Sequence, residues 1–291
     1  MSSIESSIYG WLLISVSITV WSITPGLVAR DRGKYDGILA NGLRSLAASF
    51  LLFPFVFLFY GFKISYEIIL FALAVGLVGA VSGDTSYIVA LRRLGAGLGT
   101  PLCYTYVVTA QLIGLLFYPA KNMVWYIIAS IIALIGVSIA YSGEKKKTQV
   151  DLLGILAGIN ASISWGFFVH IVNYALNYID PLTLNAYRLL FAGLILLAVS
   201  VPRWGLYDSL IKAPRMLKAT ILSGILGFGI GGLCFYSSLL YLDVGKVVIV
   251  TAITPVTAQL LSRIVGKEKI LPHHVIGGIL VTLSTVMAYI A

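Results

Sequence analysis

Ten long apolar runs follow one another along the chain and leave only short polar stretches between them. The runs cover residues 8–29, 37–60, 67–91, 97–118, 123–142, 151–177, 182–201, 216–241, 245–265 and 271–290. A helix needs roughly 20 apolar residues to cross the hydrocarbon core of a bilayer, and these runs lack the alternating pattern of barrel strands. Because a segment in lipid has to satisfy its own backbone hydrogen bonds, we predict an all-α membrane protein with ten transmembrane helices.

The composition supports this fold class and excludes several functions. Hydrophobic residues make up 59% of the 291 residues and charged residues 11%, whereas soluble domains contain about 25% charged residues. Ten spans leave no stretch long enough for a soluble catalytic domain. The net charge of +9 lies in short loops rather than in one patch. We therefore expect the lipid bilayer as a partner and no nucleic acid.

The second half of the sequence repeats the first with a nearly constant offset. The aligned residues are Gly10 with Gly154, Trp21 with Trp165, Asn41 with Asn185, Arg44 with Arg188, Gly83 with Gly232, Tyr87 with Tyr236, and 109–112 with 257–260. A fixed offset across five helices indicates an internal duplication. We predict a first five-helix repeat at 1–143, a basic linker at 144–150 and a second five-helix repeat at 151–291.

The loop charges predict how the two repeats lie in the membrane. Five is an odd number of helices, so the second repeat enters the bilayer inverted relative to the first. Most loop Lys and Arg residues then lie on one side, namely Arg30, Arg32, Lys34, Arg92, Arg93, Lys145, Lys146, Lys147, Arg203, Lys212, Arg215, Lys218, Lys267 and Lys269. Lys63, Lys121 and Lys246 lie on the other side. The positive-inside rule predicts a multi-pass protein of the cell membrane with both termini outside.

Several motifs of the second half match a known repeat. They are Ser164-Trp165-Gly166-Phe167, Asp180-Pro181-Leu182-Thr183-Leu184, Tyr187-Arg188, the segment 236–242, Thr254-Pro255-Val256, Gly266-Lys267-Glu268 and Gly277-Gly278. Together they span nearly all of 154–290 and resemble an EamA-type repeat of the drug/metabolite transporter superfamily. The first half matches more loosely through Trp21-Ser22, Arg44, 87–91 and Leu94-Gly95-Ala96, and it departs from the pattern at Val107 and Ala120.

This resemblance implies a ten-helix fold with a central cavity lined by helices of both halves. It also implies export or exchange of small metabolites, without naming the metabolite. Members of the superfamily usually have both termini in the cytoplasm, whereas the loop charges of this chain predict termini outside, and we follow the loop charges. Inverted repeats are typical of secondary transporters, whose substrate site lies near the bilayer midplane.

Three charged residues lie well inside predicted spans, away from the span ends, where a charge is costly and needs a reason. Asp84 in the third span has Tyr87 three residues further on, hence on the same helix face. Asp84 either binds a proton or cation on the transport path or pairs with Arg92 near the helix end. Arg44 and Arg188 either hold an anionic group of the substrate or contact headgroups and carbonyls of neighbouring helices.

Two tryptophans, Trp21 and Trp165, lie well inside their spans at equivalent positions of the two halves. Pro25 follows Trp21 by four residues and Pro255 follows Thr251 by four, so each proline leaves a carbonyl without its helical partner. Broken helices with free carbonyls near the midplane are where transporters coordinate solutes. The prolines predict either a binding region at these helices or a plain packing kink.

A polar stripe runs along the sixth span. Gly166, His170, Asn173 and Asn177 are spaced four, three and four residues apart and share one helix face. The stripe therefore faces protein or an aqueous cavity rather than lipid. His170 either titrates during transport or forms a hydrogen bond between helices. Tyr104 in the fourth span adds an aromatic hydroxyl, either to a cavity wall or to helix packing.

These patterns predict a secondary transporter that moves a small polar or amphipathic metabolite, an amino acid or a related compound, by alternating access. The predicted substrate contacts are Trp21, Tyr87, Tyr104, Trp165, His170, Tyr236, Thr251 and Thr254, with Asp84, Arg44 and Arg188 as coupling or charge-binding groups. The alternatives are a lipid flippase on the same fold, a passive channel, and an intramembrane enzyme, for which His273-His274 is the only histidine pair. The sequence does not predict the oligomeric state.

We predict no catalytic residue, no metal ligand and no cofactor. Gly227, Gly229 and Gly232 match the spacing of a dinucleotide-binding fingerprint. That fingerprint requires a preceding strand and a βαβ unit, whereas these glycines lie inside an apolar run. Small residues in such a run instead favour close packing between membrane helices.

Overall fold

A computed structural model describes residues 3–29, 37–61, 64–117, 122–143, 151–204, 214–265 and 269–291. Within these ranges it contains 10 helices long and apolar enough to cross a membrane, which confirms the predicted all-α membrane fold. The predicted basic linker at 144–150 lies outside the described residues, as do Ala120 and many of the loop charges behind the predicted orientation. The boundaries of the repeats and the side on which the termini lie therefore stay predictions.

The helices follow the predicted apolar runs, with most ends shifted by only a few residues. The first repeat comprises α1 (Ser3–Ala29), α2 (Gly37–Tyr60), α3 (Tyr66–Leu94), α4 (Ala96–Tyr104 and Tyr106–Phe117) and α5 (Met123–Ala140). The second comprises α6 (Leu152–Ala175), α7 (Pro181–Trp204), α8 (Pro214–Gly224, Ile225–Gly231 and Gly232–Ser238), α9 (Val244–Thr251 and Ile253–Val265) and α10 (Pro272–Ile290).

The most extensive helix contacts join the two repeats. α2 packs along α7, and α5 packs along α10. α1 packs against α8 and α9 of the second repeat, while α6 packs against α3 and α4 of the first. Each contact thus has a counterpart with the repeats exchanged, as two inverted copies require. The outer faces expose large apolar side chains such as Phe57, Leu116 and Ile290, which suits contact with lipid.

Two helices contain a π-helical segment at equivalent positions of the repeats. One is Gly76–Asp84 in α3, and the other is the middle piece of α8. A wider turn disturbs the regular backbone hydrogen bonds, so it needs donors from elsewhere. Asn41 of α2 donates to the carbonyl of Ala80 over 3.2 Å. In the second repeat, Asn185 of α7 donates to the carbonyl of Phe228 over 3.0 Å.

α4 and α9 are each interrupted near their middle, at Thr105 and at Ala252. The interruption of α9 lies three residues before Pro255, where the sequence predicted a broken helix. In α4, the hydroxyl of Thr105 donates to the carbonyl of Leu102 over 2.7 Å and also reaches the hydroxyl of Ser162 in α6. The two interruptions lie at equivalent points of the inverted repeats.

The prediction of a broken helix with a free carbonyl is wrong for α1. This helix is continuous from Ser3 to Ala29, although Pro25 lacks the N–H group that would bond to Trp21. The hydroxyl of Thr24 donates to the Trp21 carbonyl over 3.1 Å. A threonine next to the proline therefore supplies the missing donor, and the carbonyl is already bonded.

Candidate functional site

A cavity of about 660 Å³ lies between the two repeats. Nine of the eleven predicted site residues line it: Trp21, Arg44, Asp84, Tyr87, Tyr104, Trp165, Arg188, Thr251 and Thr254. Helices α1 to α4 and α6 to α9 all contribute to the wall. Because four helices of each repeat take part, the cavity depends on how the halves meet. We call it the central cavity.

The central cavity reaches from one end of the helices to about half their length. Leu91 and Arg92, near the end of α3, and Gly37, at the start of α2, line it at that end. Asp84 lies ten residues before the last residue of α3, Leu94. At about 1.5 Å per residue this is roughly 15 Å, half of a hydrocarbon core of about 30 Å. Asp84 thus lies near the expected midplane.

Trp165 and Asp84 form the principal polar contact across the cavity. The indole Nε1 of Trp165 in α6 donates to Oδ1 of Asp84 in α3 over 3.0 Å. The indole also packs against the rings of Tyr87 and Tyr106, with centroid distances of 5.2 and 5.5 Å. The indole of the opposite repeat is thus a hydrogen-bond partner of the Asp84 carboxylate, which neither of the two predicted roles included.

Trp21 occupies the equivalent position in α1 but has a different partner. Its Nε1 donates to the backbone carbonyl of Gly227 in α8 over 2.8 Å. Its ring lies 5.3 Å from that of Phe235, measured between centroids. Both tryptophans therefore cross from their own repeat to the π-helical segment of the other one. The neutral carbonyl at Trp21 replaces the carboxylate at Trp165.

Arg188 in α7 is held beneath the cavity wall by aromatic rings. Its guanidinium carbon lies 5.2 Å from the centroid of Tyr236 and 5.7 Å from that of Phe168. Its Nε donates to Oδ1 of Asn185 over 3.0 Å. Only 5% of Arg188 is exposed. Contact with ring faces stabilises a buried cation.

Arg44 in α2 has fewer partners than Arg188. Its guanidinium carbon lies 4.3 Å from the ring centroid of Phe228. Its Nε is buried and has no hydrogen-bond partner. The Asp84 carboxylate interacts electrostatically with both arginines, and more strongly with Arg188. The ion pair that forms within the described ranges is Arg93 with Asp151, not a pair with Asp84.

The interrupted part of α9 closes the cavity at the end away from Arg92. The hydroxyls of Thr251 and of Tyr106 in α4 are hydrogen-bonded to each other. Thr251 also donates to the carbonyl of Val248 over 2.6 Å. Thr254 lines the cavity, and its hydroxyl is buried without a partner. A buried, unpartnered hydroxyl in a cavity wall is a group that a ligand can satisfy.

Two predicted site residues do not line the central cavity. Tyr236 is fully buried behind Arg188 and contacts its guanidinium. Nε2 of His170 lies 2.8 Å from the carbonyl of Ala110 in α4, which matches the predicted alternative of a hydrogen bond between helices. The polar stripe of α6 correctly predicted the helix face on which His170 lies. It could not predict how far along the helix the cavity extends.

A second cavity, of about 440 Å³, lies at the other end of the molecule. His170 and Asn173 of the polar stripe line it, together with Gln111. The segment between α8 and α9, including Asp243, and the start of α9, including Lys246, also contribute. Its wall is thus polar and contains one acidic and one basic side chain. We call it the distal cavity.

Sequence reasoning missed several aromatic residues of the wall. Phe168, Phe228 and Phe235 line the central cavity, yet the chain contains 13 phenylalanines and most face lipid or core. Phe168 and Phe228 support Arg188 and Arg44. The two arginines inside the spans could have predicted these rings, since a cation within the membrane needs aromatic faces or anions nearby.

The comparisons with known proteins agree with this architecture. The model of the EamA-like transporter family matches residues 8–142 and 152–290. An uncharacterized transporter from Archaeoglobus fulgidus is 24% identical over 279 residues, which are 95% of this chain and 96% of that protein. A solved structure described only as "Crystal structure of protein" has a TM-score of 0.80 at 14% identity and shares its fold over 98% of both chains. This chain belongs to the EamA-like transporter family.

Proposed function

We propose that this protein is a secondary transporter that moves a small polar or amphipathic metabolite, an amino acid or a related compound, by alternating access. The central cavity is the observation on which this proposal depends. Its volume of about 660 Å³ falls in the range of roughly 300–1,000 Å³ that is typical of small-molecule sites. Aromatic rings, guanidinium groups and one carboxylate share its wall, so it suits a solute with both polar and apolar parts.

The two cavities support a path across the whole bilayer. Helices α4, α6 and α9 line both of them. Along α6 consecutive residues line different cavities: Val169 lines the central cavity and His170 lines the distal cavity. At the end of α8 they are separated by about one turn, from Phe235 in α8 to Leu239 directly after that helix. A barrier about one helical turn thick, roughly 5 Å, separates the two cavities.

The barrier is formed where the helices are interrupted. Tyr106 directly follows the break of α4, and Thr251 directly precedes the break of α9. Their hydroxyls bond to each other, so the contact joins the first repeat to the second. Rocking of the repeats would separate this pair and open the central cavity toward the distal one. The described structure then corresponds to the state that is closed on the distal side.

A flux measurement in proteoliposomes tests the proposal. Purified protein is reconstituted, and counterflow of labelled amino acids and related metabolites is measured for wild type, Trp165→Ala and Trp125→Ala. Trp125 is the matched control because it lies in α5 and 57% of it is exposed on the outer face. We expect saturable flux that Trp165→Ala reduces at least tenfold and that Trp125→Ala leaves intact.

Two outcomes would contradict the proposal. Unchanged flux in Trp165→Ala would remove the central cavity as the substrate site. Scrambling of labelled phospholipid without saturable flux of any water-soluble solute would instead assign the protein to lipid transport. Flux that rises linearly with concentration, without counterflow, would indicate a channel.

A further inference from the structure

The arginines of the central cavity have donors without acceptors. The guanidinium group of Arg44 forms no hydrogen bond in the described part of the chain, and its Nε is buried. Arg188 uses its Nε for Asn185, and its terminal nitrogens likewise have no acceptor among the described side chains and carbonyls. Arginine is always charged in proteins and has five N–H donors. Both residues line the cavity, so these donors are available to a ligand there.

The charges at mid-depth do not balance. Arg44 and Arg188 contribute two positive charges to the central cavity, while Asp84 contributes the negative charge. Arg92 lies further out, near the end of α3. An uncompensated charge in a low-dielectric site is costly, so a ligand of net charge −1 would be favoured there over a neutral one. The wall thus selects for charge as well as for size.

Asp84 has the surroundings of an ammonium site. Its Oδ1 accepts from Trp165, and in the described structure Oδ2 accepts no hydrogen bond. The rings of Trp165 and Tyr87 lie beside it and line the same cavity. The carboxylate attracts a cation by its charge, and the aromatic rings of the same wall can add a cation–π contact. The anionic ligand therefore meets one negative group as well as two positive ones.

The two arginines lie at different heights along α8. A Cβ at Gly227 would be 3.7 Å from Nη2 of Arg44, and a Cβ at Gly232 would be 3.2 Å from Nη2 of Arg188. These glycines are five residues apart, the first inside the π-helical segment and the second directly after it. Phe228 lies under one guanidinium, and Tyr236 and Phe168 lie beside the other. Each arginine is thus held at its own place and can bind its own carboxylate.

We infer that the central cavity binds a compound with two carboxylates and one ammonium group, an acidic amino acid or a close analogue. One carboxylate contacts Arg44, the other contacts Arg188, and the ammonium group contacts Asp84. The inference rests on the proposed transport function and names the substrate class of the same site. It also assigns the two arginines as substrate-binding residues rather than as contacts to headgroups.

Matched pairs of charged and neutral probes test the inference. Flux into proteoliposomes is measured for labelled L-glutamate against L-glutamine and for L-aspartate against L-asparagine, since each pair has nearly the same size but differs by one charge. We expect kcat/KM to be at least about tenfold higher for the acidic member, the effect of one charge-assisted hydrogen bond. Arg44→Gln and Arg188→Gln should each remove most of this preference, and Arg188→Lys should restore part of it.

Asp84→Asn provides the reciprocal test. This variant retains an oxygen for the indole of Trp165 but loses the negative charge, so it should favour glutarate, which has no ammonium group, over glutamate. The melting temperature of each purified variant controls for folding. A rise of that temperature with glutamate but not with glutamine checks binding independently of flux.

The outcomes separate this inference from the transport function. Two results would overturn the inference but not the proposed transport function. One is saturable flux without preference for the acidic member of either amino-acid pair, and the other is a preference that neither arginine variant alters. Absence of saturable flux for every neutral, cationic and anionic metabolite, together with no thermal shift from glutamate, would contradict both.

Discussion

The two tryptophans of the cavity occupy equivalent places in the repeats, yet their indole N–H groups have different acceptors. Trp165 donates to the Asp84 carboxylate and Trp21 to the Gly227 carbonyl. The rings pack against Gly83 and Gly231, which lie in the π-helical segments of α3 and α8 or at their end. The packing thus pairs Gly83 with Gly231, one residue before the Gly232 with which the sequence aligns it. The two repeats have thus kept the same packing of tryptophan against glycine. A difference in one side chain makes the chemistry of the site asymmetric.

The residue after each of these glycines accounts for the asymmetry. Asp84 follows Gly83 in the first repeat, whereas Gly232 follows Gly231 in the second. Gly232 lies against Arg188 and Asn185 instead of presenting a charge. A solute bound as we propose would therefore meet two equivalent arginines but a single carboxylate. Such an asymmetric surface in a symmetric scaffold would give that solute a defined orientation.

Replacing Gly83 or Gly231 should produce the largest losses of stability, and the two losses should be equal. A Cβ at Gly83 would lie 2.7 Å from the Trp165 ring, and a Cβ at Gly231 would lie 2.6 Å from Nε1 of Trp21. The indoles are fixed by hydrogen bonds, so Gly83→Val and Gly231→Val should each lower the free energy of unfolding by roughly 3 kcal/mol, the upper part of the overpacking range. Thermal or denaturant unfolding in detergent measures this. Strongly unequal losses of stability in the two variants would show that the packing of tryptophan against glycine differs between the repeats.

Conservative replacement of the indoles should separate the two repeats. Trp165→Phe removes a hydrogen bond to a charged acceptor, which is worth roughly 1.5–3 kcal/mol, and Trp21→Phe removes one to a neutral carbonyl, worth about 1 kcal/mol. We expect Trp165→Phe to lower kcat/KM for transport about tenfold or more and Trp21→Phe to lower it only a few-fold. Flux assays on the two variants, made with equal amounts of folded protein, check the difference. Equal losses would mean that the Asp84 charge is irrelevant to the site.

The barrier between the two cavities should respond to loss of one hydroxyl. Tyr106→Phe removes the bond to Thr251, and a net change of about 1 kcal/mol shifts the equilibrium between the two access states about fivefold. Ile88→Cys in a chain with Cys103→Ala and Cys234→Ala reports the opening, because Ile88 is partly exposed and lines the central cavity. A membrane-impermeant thiol reagent added on the distal side should label it about fivefold faster.

Tyr104→Phe is the matched control for this labelling experiment. Tyr104 lines the same cavity, and its ring packs against that of Tyr106 with centroids 5.7 Å apart. Loss of its hydroxyl leaves the contact between α4 and α9 unaltered. Faster labelling in both variants, or in neither, would assign the barrier to other residues.

The sequence predicted the fold well because its signals are local or periodic. Apolar length gives the spans, and a constant offset gives the duplication. The pairing of Asp84 with Trp165 could not be predicted in the same way. Asp84 ends a π-helical segment, and a wider turn rotates the following residues away from the faces that a 3.6-residue period assigns. The register between α3 and α6 depends in turn on contacts far apart in sequence.

The same limitation explains the predictions that failed or were displaced. The carbonyl of Trp21 was expected to be free because of Pro25, but the neighbouring Thr24 bonds to it. His170 was placed at the substrate and lies beside Ala110 and the distal cavity. A stripe of polar residues defines a helix face, whereas its distance from a cavity depends on how the neighbouring helices cross.

The smallest expected effect concerns the helix ends, where the repeats differ again. Arg93 at the end of α3 forms an ion pair with Asp151 before α6. Gly154 packs against Arg93, and its counterpart Gly10 packs against Tyr241, which is uncharged. The ion pair therefore joins α3 to α6 at one end of the molecule. The contact between α1 and Tyr241 has no such charge pair.

The pH dependence of this contact follows from Asp151. The hydrogen bond from Arg93, together with the backbone N–H of Leu153, lowers the pKa of the Asp151 carboxyl. A carboxyl with a lowered folded-state pKa contributes stability at neutral pH and loses it as the pH falls through that pKa. Both side chains are partly exposed, so Asp151→Asn should lower the melting temperature only slightly at pH 7. The difference in melting temperature between Asp151→Asn and wild type should shrink as the pH is lowered into the acidic range. The effect of Asp151→Asn on the melting temperature should also be small when it is introduced into Arg93→Gln. A difference that stays constant with pH would assign the role of Asp151 to its cap of α6, which an asparagine can replace only in part.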